Sequence, residues 1–185
     1  MSIVGCLIGR NRSYRKLMHI KDVIRSQKSC ERHNQKMLEE QQKLAEKALK
    51  NQDLIYFAIS GDYIPVMVDN IVNLNPKRFI FMASVGIYNE LEGDGAEFNV
   101  DNDQSQIPNQ YAAGIIENSN VDYTIIRAGY LEHGDEDDYV ITKKGETAPG
   151  YRTSIESVEK IALEIIDNPE KYSRESISIT KDMSD

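Results

Sequence analysis

The sequence predicts an α/β fold, in which a doubly wound parallel sheet lies between two layers of helices. Three short apolar runs, over residues 53–59, 78–84 and 121–127, are typical of strands that are buried on both faces. Between successive runs lie segments with apolar residues at helical spacing. Strands and helices that alternate in this way form right-handed βαβ units and therefore a parallel sheet.

The first 50 residues are the least regular part of the chain. Residues 2–8 form a short apolar run that favours a buried first strand, and a helix is predicted over 14–25. Residues 26–35 show no clear period. Residues 36–50 place apolar side chains on one face and charged side chains on the other, which predicts an amphipathic helix.

The remaining elements follow in chain order. A helix ends before Asn75-Pro76, a mobile acidic loop covers 89–103 and a second helix covers 111–118. A short strand over 139–142 follows the third buried strand. A helix then begins at Thr153, which forms a capping box with Glu156, and a last strand covers 176–180.

Composition excludes several classes of protein. The 185 residues are 40% hydrophobic and 28% charged, which is typical of one globular domain covering 1–185. Because no apolar run approaches the ~20 residues that cross a bilayer, we expect no membrane association. Cys6 and Cys30 are too few for a disulfide framework, which favours a cytoplasmic location. The acidic segments 101–105 and 133–138 favour solvated loops over metal sites, so we predict no bound metal.

The charge is unevenly distributed. Residues 1–36 contain nine Lys or Arg and two acidic residues, whereas the whole chain has a net charge of −8. A basic arm that binds nucleic acid is one interpretation. The other is a solvated helical face, which we favour because no stacking platform or groove-reading motif accompanies the charge.

Three segments resemble a known family. They are Asp53-Leu-Ile-Tyr-Phe-Ala-Ile-Ser-Gly61, Lys77-Arg-Phe-Ile-Phe-Met-Ala-Ser-Val-Gly-Ile-Tyr88 and Asn118-Ser-Asn-Val-Asp-Tyr-Thr-Ile-Ile-Arg127. Their order and spacing resemble those of the atypical short-chain dehydrogenases, often described as NmrA-like or NAD(P)H-binding. The resemblance implies a Rossmann-like, three-layer α/β/α fold, with an NAD(P) cofactor beyond the carboxyl ends of the strands.

The resemblance also implies which strand ends meet the cofactor. Ala58, Ser60 and Gly61 are expected along its adenosine side, where glycine allows close approach of the backbone. Ala83, Ser84 and Val85 are expected to line the nicotinamide pocket, with Arg127 at the neighbouring strand end.

Three residues are candidates for catalysis. Ser84 is suited to donate a hydrogen bond to a substrate carbonyl, or it is only a hydroxyl at a strand-end turn. The family's Tyr-Lys pair, in which Lys lowers the pKa of the Tyr, falls here on Ser105 and Asn109. Tyr88 and Tyr111 are the nearby phenols, and their alternative role is amphipathic packing.

The phosphate-binding loop departs from the family pattern. Gly5 and Gly9 are present, but the third glycine that brings backbone amides close to a pyrophosphate is missing. Arg10 and Arg12 are suited to bind phosphate directly, which gives NADP a slight preference over NAD.

Two functional hypotheses follow. The first is an NAD(P)-binding oxidoreductase-like protein that acts on a small molecule, and it is supported by the intact strand ends. The second is a non-catalytic dinucleotide-fold module, such as a redox sensor or regulator, and it is supported by the missing Tyr-Lys pair. The sequence leaves the substrate and the oligomeric state open.

Overall fold

The computed structural model describes residues 43, 47, 49 and 52–183. Lys43, Lys47 and Leu49 are helical, in agreement with the predicted helix over 36–50, whereas the predicted strand over 2–8 and helix over 14–25 lie outside the described residues. The prediction of one domain over 1–185 therefore stays a prediction. The elements from position 52 onward are β1 (Ile55–Phe57), α1 (Ile64–Asn73), β2 (Phe79–Ser84), α2 (Ile107–Glu117), β3 (Tyr123–Ala128), β4 (Tyr130–Glu132), β5 (Val140–Lys143), β6 (Arg152–Ser154), α3 (Ile155–Asp167) and β7 (Glu175–Thr180).

The main sheet has the strand order β1-β2-β3-β7-β5. Its first four strands are parallel, and β5 pairs with β7 in the antiparallel direction at one edge. Phe57 lies beside Phe81, and Phe81 lies beside Ile125, so the three predicted apolar runs are aligned side by side. The prediction of an α/β fold with a mostly parallel sheet is confirmed.

Helices cover both faces of this sheet. On one face, α1 and α2 pack over Phe57, Phe79 and Phe81. On the other face, α3 packs through Ile161 and Ile165 against a cluster that the strands build from Ile80, Ile126, Ile177 and Ile179. Because successive strand residues point to opposite faces, each strand contributes to both cores. The described residues thus form the predicted α/β/α layers.

The start of α3 differs from the prediction by one residue. Ser154 is the N-cap, and its Oγ accepts a hydrogen bond from the Ser157 amide at 3.3 Å. Thr153 instead belongs to β6, where its hydroxyl donates to the Ile179 carbonyl and accepts from the Gly129 amide. The predicted cap at Thr153 is wrong because the sheet already uses that hydroxyl.

The segment over 89–103 is a folded connection, so the prediction of a mobile loop is wrong. It contains a 3-10 helix, Gly93–Phe98. The buried Asn99 side chain accepts from the Leu91 amide at 3.1 Å and donates to the Leu91 carbonyl at 2.8 Å. Such bonds replace those that a helix or sheet would provide to a buried backbone.

A buried ion pair ties this segment to the sheet. Arg127 on β3 is fully buried and pairs with the carboxylate of Glu90, which also accepts from the Tyr88 amide at 2.9 Å. Arg127 Nε donates to Ser176 Oγ at 3.1 Å. With these partners, the charges that folding removes from water are compensated.

We expect Glu90→Ala to lower the free energy of unfolding by about 3–5 kcal/mol, because it leaves the Arg127 guanidinium buried without its counter-charge. Urea unfolding followed by circular dichroism measures this loss. Asp53→Ala is the matched control, since Asp53 pairs with Lys77 at 2.6 Å in full exposure, where ion pairs contribute little. Equal urea midpoints for the two variants would contradict the bracing role of Glu90.

Candidate functional site

A cavity of about 700 Å³ lies at the carboxyl ends of β1, β2 and β3. The strands and the turns that follow them contribute Tyr56, Ala58, Ile59, Ser60, Met82, Ala83, Ser84, Ala128 and Gly129. The opposite wall is α3, which contributes Ile155, Val158, Glu159, Ala162, Leu163 and Ile166. This volume is within the usual range for pockets that bind small molecules and cofactors.

The cavity lining is largely apolar and partly exposed. Tyr56, Ile59, Ile155, Leu163 and Ile166 all line it, and each is more than a third exposed. Burial raises the pKa of the Tyr56 phenol. A group of exposed apolar side chains around a concave surface indicates a ligand-binding surface.

Ser84 is one of the polar groups that line this cavity. It ends β2 in register with Ala128 of β3. Asn109 on α2 donates from Nδ2 to Ser84 Oγ at 3.3 Å. Because this bond occupies a lone pair of Oγ, the hydroxyl hydrogen of Ser84 can be donated to a ligand oxygen.

A second cavity, of about 200 Å³, adjoins the first. It is lined by Ser84, Val85, Phe98, Gln106, Ala128, Gly129, Tyr130 and Tyr151. Ser84, Ala128 and Gly129 also line the larger cavity. The strand ends therefore present two adjacent spaces that share one hydroxyl.

The structure brings together four of the predicted site residues. Ala58, Ser60, Ala83 and Ser84 all line the larger cavity, and Val85 lines the second one. Gly61 lies in the turn after β1 with φ +128 and is absent from both linings. Gly5, Gly9, Arg10 and Arg12 lie outside the described residues.

Arg127 lies elsewhere than the resemblance implies. Its neighbour Ala128 lines the cavity, so the alternation of side chains along a strand directs Arg127 to the opposite face of the sheet. There it is fully buried and bonded to Glu90. In this structure Arg127 braces the fold and does not reach the cavity.

The two predicted phenols are also outside both cavity linings. Tyr88 donates its hydroxyl to Glu117 at 2.8 Å, and the cationic groups of Arg127 and Lys144 lie 5.2 Å and 4.3 Å from its ring centroid. Burial raises the pKa of Tyr88, which is the opposite of what a proton-donating Tyr near neutral pH requires. Tyr111 is 66% exposed on α2. The surroundings of Tyr88 match a packing role, and the catalytic role of Tyr111 stays a prediction.

Sequence reasoning missed several lining residues. Met82 and Ala128 could have been found from Ser84, because they share its face through alternation and strand pairing. Ile155 and Ile166 have the helical spacing of core residues, yet they are 39% and 44% exposed at the cavity. Phe98 and Tyr151 could not be found, since only the folded connection and the β4–β6 pair bring them to Ser84.

Comparison with known proteins identifies the family. The model of the NAD(P)H-binding family matches residues 19–169. The chain belongs to the NAD(P)H-binding family. No curated protein matches it.

Solved structures agree with this assignment of the fold. A Rossmann-fold NAD(P)-binding protein from Shigella flexneri is 29% identical, with a TM-score of 0.63 over 78% of this chain and 68% of that one. A short-chain dehydrogenase/reductase from Veillonella parvula, solved with NADP, is 22% identical, with a TM-score of 0.64 over 75% and 67% of the two chains. An anaerobillin reductase from Escherichia coli O157:H7 is 17% identical, with a TM-score of 0.56 over 69% and 63%.

The described cavity fits part of the cofactor that defines the NAD(P)H-binding family. Its apolar walls and the Ser84 hydroxyl suit the flat nicotinamide ring and its ribose. Glu159 is the one charged residue of the lining that the structure describes, so phosphate charges find no cation there.

In positions 52–183, no three His, Cys, Asp or Glu side chains lie close enough together to hold a metal ion. No helix in that range could span a membrane.

Gly86 allows the folded connection to approach the strand end, so Gly86→Ala should disturb the second cavity. Gly86 has φ +94, and a Cβ there would overlap the Phe98 carbonyl oxygen. The matched control is Gly145→Ala, where φ is +93 and no described atom lies within 4 Å of the added Cβ. Both variants carry the same backbone penalty, but Gly86→Ala should lose about 1–3 kcal/mol more in urea unfolding. Equal losses would show that the close approach is unimportant.

Proposed function

We propose that this protein is an NADP(H)-dependent oxidoreductase that acts on a small molecule. The observation that carries the proposal is the larger cavity at the ends of β1, β2 and β3, where Ser84 is bonded to Asn109. Ligands of open parallel sheets bind beyond the carboxyl ends of the strands. The family assignment supports the cofactor class.

The strand ends meet the two halves of the cofactor at different points. Ala58 and Ser60, after β1, face the adenosine side, and Ala83 and Ser84, at the end of β2, face the nicotinamide. Small side chains at these positions let the backbone and the ligand approach each other closely. The nicotinamide, when bound, supplies the hydride for reduction of a carbonyl carbon, whose oxygen then takes a proton from water.

Ser84 polarises the substrate. Its hydroxyl donates to the carbonyl oxygen, where negative charge develops as hydride arrives. Asn109 positions that hydroxyl through the 3.3 Å bond. Tyr88 takes no part in proton transfer, because its hydroxyl is bonded to Glu117.

Arg10 and Arg12 bind the phosphates and favour NADP over NAD. This part of the proposal is supported by the absence of Lys and Arg from the described cavity lining, since a phosphate that loses water requires compensating charge. Both residues follow Gly9, where the family places its phosphate loop. We also propose a cytoplasmic location and no nucleic-acid partner.

Blocking the larger cavity should abolish cofactor binding. Ala58→Trp places a large ring in the cavity, and we expect it to weaken NADPH binding at least about tenfold in a fluorescence titration. Val66→Trp is the matched control, because Val66 is 61% exposed on α1 and absent from the lining. Ser84→Ala should keep NADPH affinity and lower turnover about 10²-fold. Tight NADPH binding by a folded Ala58→Trp variant would place the cofactor elsewhere.

The charge prediction is tested by the double substitution Arg10→Ala and Arg12→Ala. We expect NADPH affinity to fall about tenfold or more while NADH affinity falls less, because only NADPH carries the 2′-phosphate. Isothermal titration of both cofactors measures the two losses. Arg32→Ala controls for the general loss of positive charge in this segment. Equal losses for the two cofactors would contradict the preference for NADP, and unchanged affinity for both would contradict phosphate binding by these arginines.

A non-catalytic redox sensor is the second candidate. It is favoured by one observation, the absence of a Tyr-Lys pair at the family positions, where Ser105 and Asn109 stand. NADPH binding without hydride transfer to any carbonyl in a substrate screen would support the sensor. Turnover that depends on Ser84 would support the enzyme.

A further inference from the structure

We infer that the second cavity binds an uncharged, single- or double-ring aromatic carbonyl compound. This inference rests on the proposed function, because it places the reacting carbonyl at Ser84 and the nicotinamide on the other side of that hydroxyl. It assigns the substrate class, which the fold alone leaves open.

Aromatic side chains form the walls of this cavity. The rings of Phe98 and Tyr151 lie 5.1 Å apart between centroids at an angle of 36°. Tyr130 also lines the cavity and is 74% exposed. A flat aromatic ligand can stack against such faces or meet their edges, whereas a flexible aliphatic chain gains less from them.

The lining carries no formal charge. All eight residues are neutral, and the polar side chains among them are Ser84, Gln106, Tyr130 and Tyr151. None of these residues offers an opposite charge to a carboxylate or ammonium group, so a charged ligand gains less here than an uncharged one. A carbonyl oxygen, in contrast, needs one donor, and the Ser84 hydroxyl supplies it.

The volume limits the ligand to a small ring system. The cavity, at about 200 Å³, is smaller than the usual pocket for a drug-sized ligand. One aromatic ring with a short carbonyl substituent, or two fused rings, occupies that volume. A larger conjugated molecule would have to extend out of the cavity.

The backbone fixes the cavity beside the strand end. Gly129 lines both cavities, and a Cβ at this position would overlap the carbonyl group of Tyr151. The Tyr130 amide donates to that same carbonyl at 2.7 Å. The backbone of Tyr151 is therefore held against Gly129, and no side chain separates the two cavities at that position.

Ligand-observed ¹⁹F NMR with 4′-fluoroacetophenone tests the inference on the full chain. The probe is uncharged, aromatic and unreactive without a reduced cofactor. We expect its line to broaden on binding, with and without NADP⁺. Acetophenone should displace the probe. Two other ketones should bind at least about fivefold more weakly: 4-acetylbenzoate, which adds a charge, and cyclohexyl methyl ketone, which lacks the aromatic ring.

Variants connect the probe to this cavity. Tyr151→Leu and Phe98→Leu keep apolar volume but remove a ring, so each should weaken the probe about two- to tenfold. Tyr63→Leu is the matched control, since Tyr63 is 73% exposed and lies outside both linings. Because an unfolded cavity variant would also lose the probe, circular dichroism and NADPH affinity are measured on the same samples.

The outcomes separate this inference from the proposed function. NADPH binding together with probe binding that Tyr151→Leu or Phe98→Leu weakens supports both. Three outcomes, each with NADPH still bound, overturn the aromatic substrate class alone. They are no probe binding, equal competition by the three ketones, and probe binding that Tyr63→Leu weakens as much as the cavity variants do. Probe binding without NADPH binding overturns the proposed function and, because the inference rests on it, the substrate assignment as well.

Discussion

The parallel pairing of β1, β2 and β3 is the constraint on which the rest of the structure depends. Their register places Phe57, Phe81 and Ile125 side by side, so the three strands point in one direction and end at one edge of the sheet. The side chains of Ala58, Ser84 and Ala128 meet there for that reason. Were one strand reversed, its polar or small residues would leave this edge and the cavity would lose a wall.

The second constraint is the folded connection over 89–103. It carries few apolar residues, so it is held by directed polar contacts: Asn99 bonds both backbone groups of Leu91, and Glu90 pairs with Arg127. Phe98 reaches the second cavity because this connection is fixed. The position of Arg127 at a strand end resembles that of a cofactor ligand. Arg127 instead lies on the opposite face of the sheet, where it contributes to the ligand site by stabilising the connection.

Much of the fold could be predicted from the sequence, because apolar runs and helical spacing are local patterns. The β2 strand, the end of α1 before Asn75-Pro76 and the β7 strand all lie where those patterns place them. The direction of Arg127 and the approach of Tyr151 to Gly129 depend on pairings between residues distant in the chain. For the same reason Ser84 could be predicted as a site residue, but the aromatic walls beside it could not.

Amide chemical-shift mapping by NMR tests the central claim most directly, namely that the cofactor lies beyond the carboxyl ends of the parallel strands. Titration with NADPH is predicted to shift the amide signals of Ala58, Ser84 and Gly129, and those at the start of α3. The signals of Phe79 and Tyr123, at the amino ends of β2 and β3, should stay in place. Shifts concentrated at those amino ends, or no shifts at millimolar NADPH, would contradict the account.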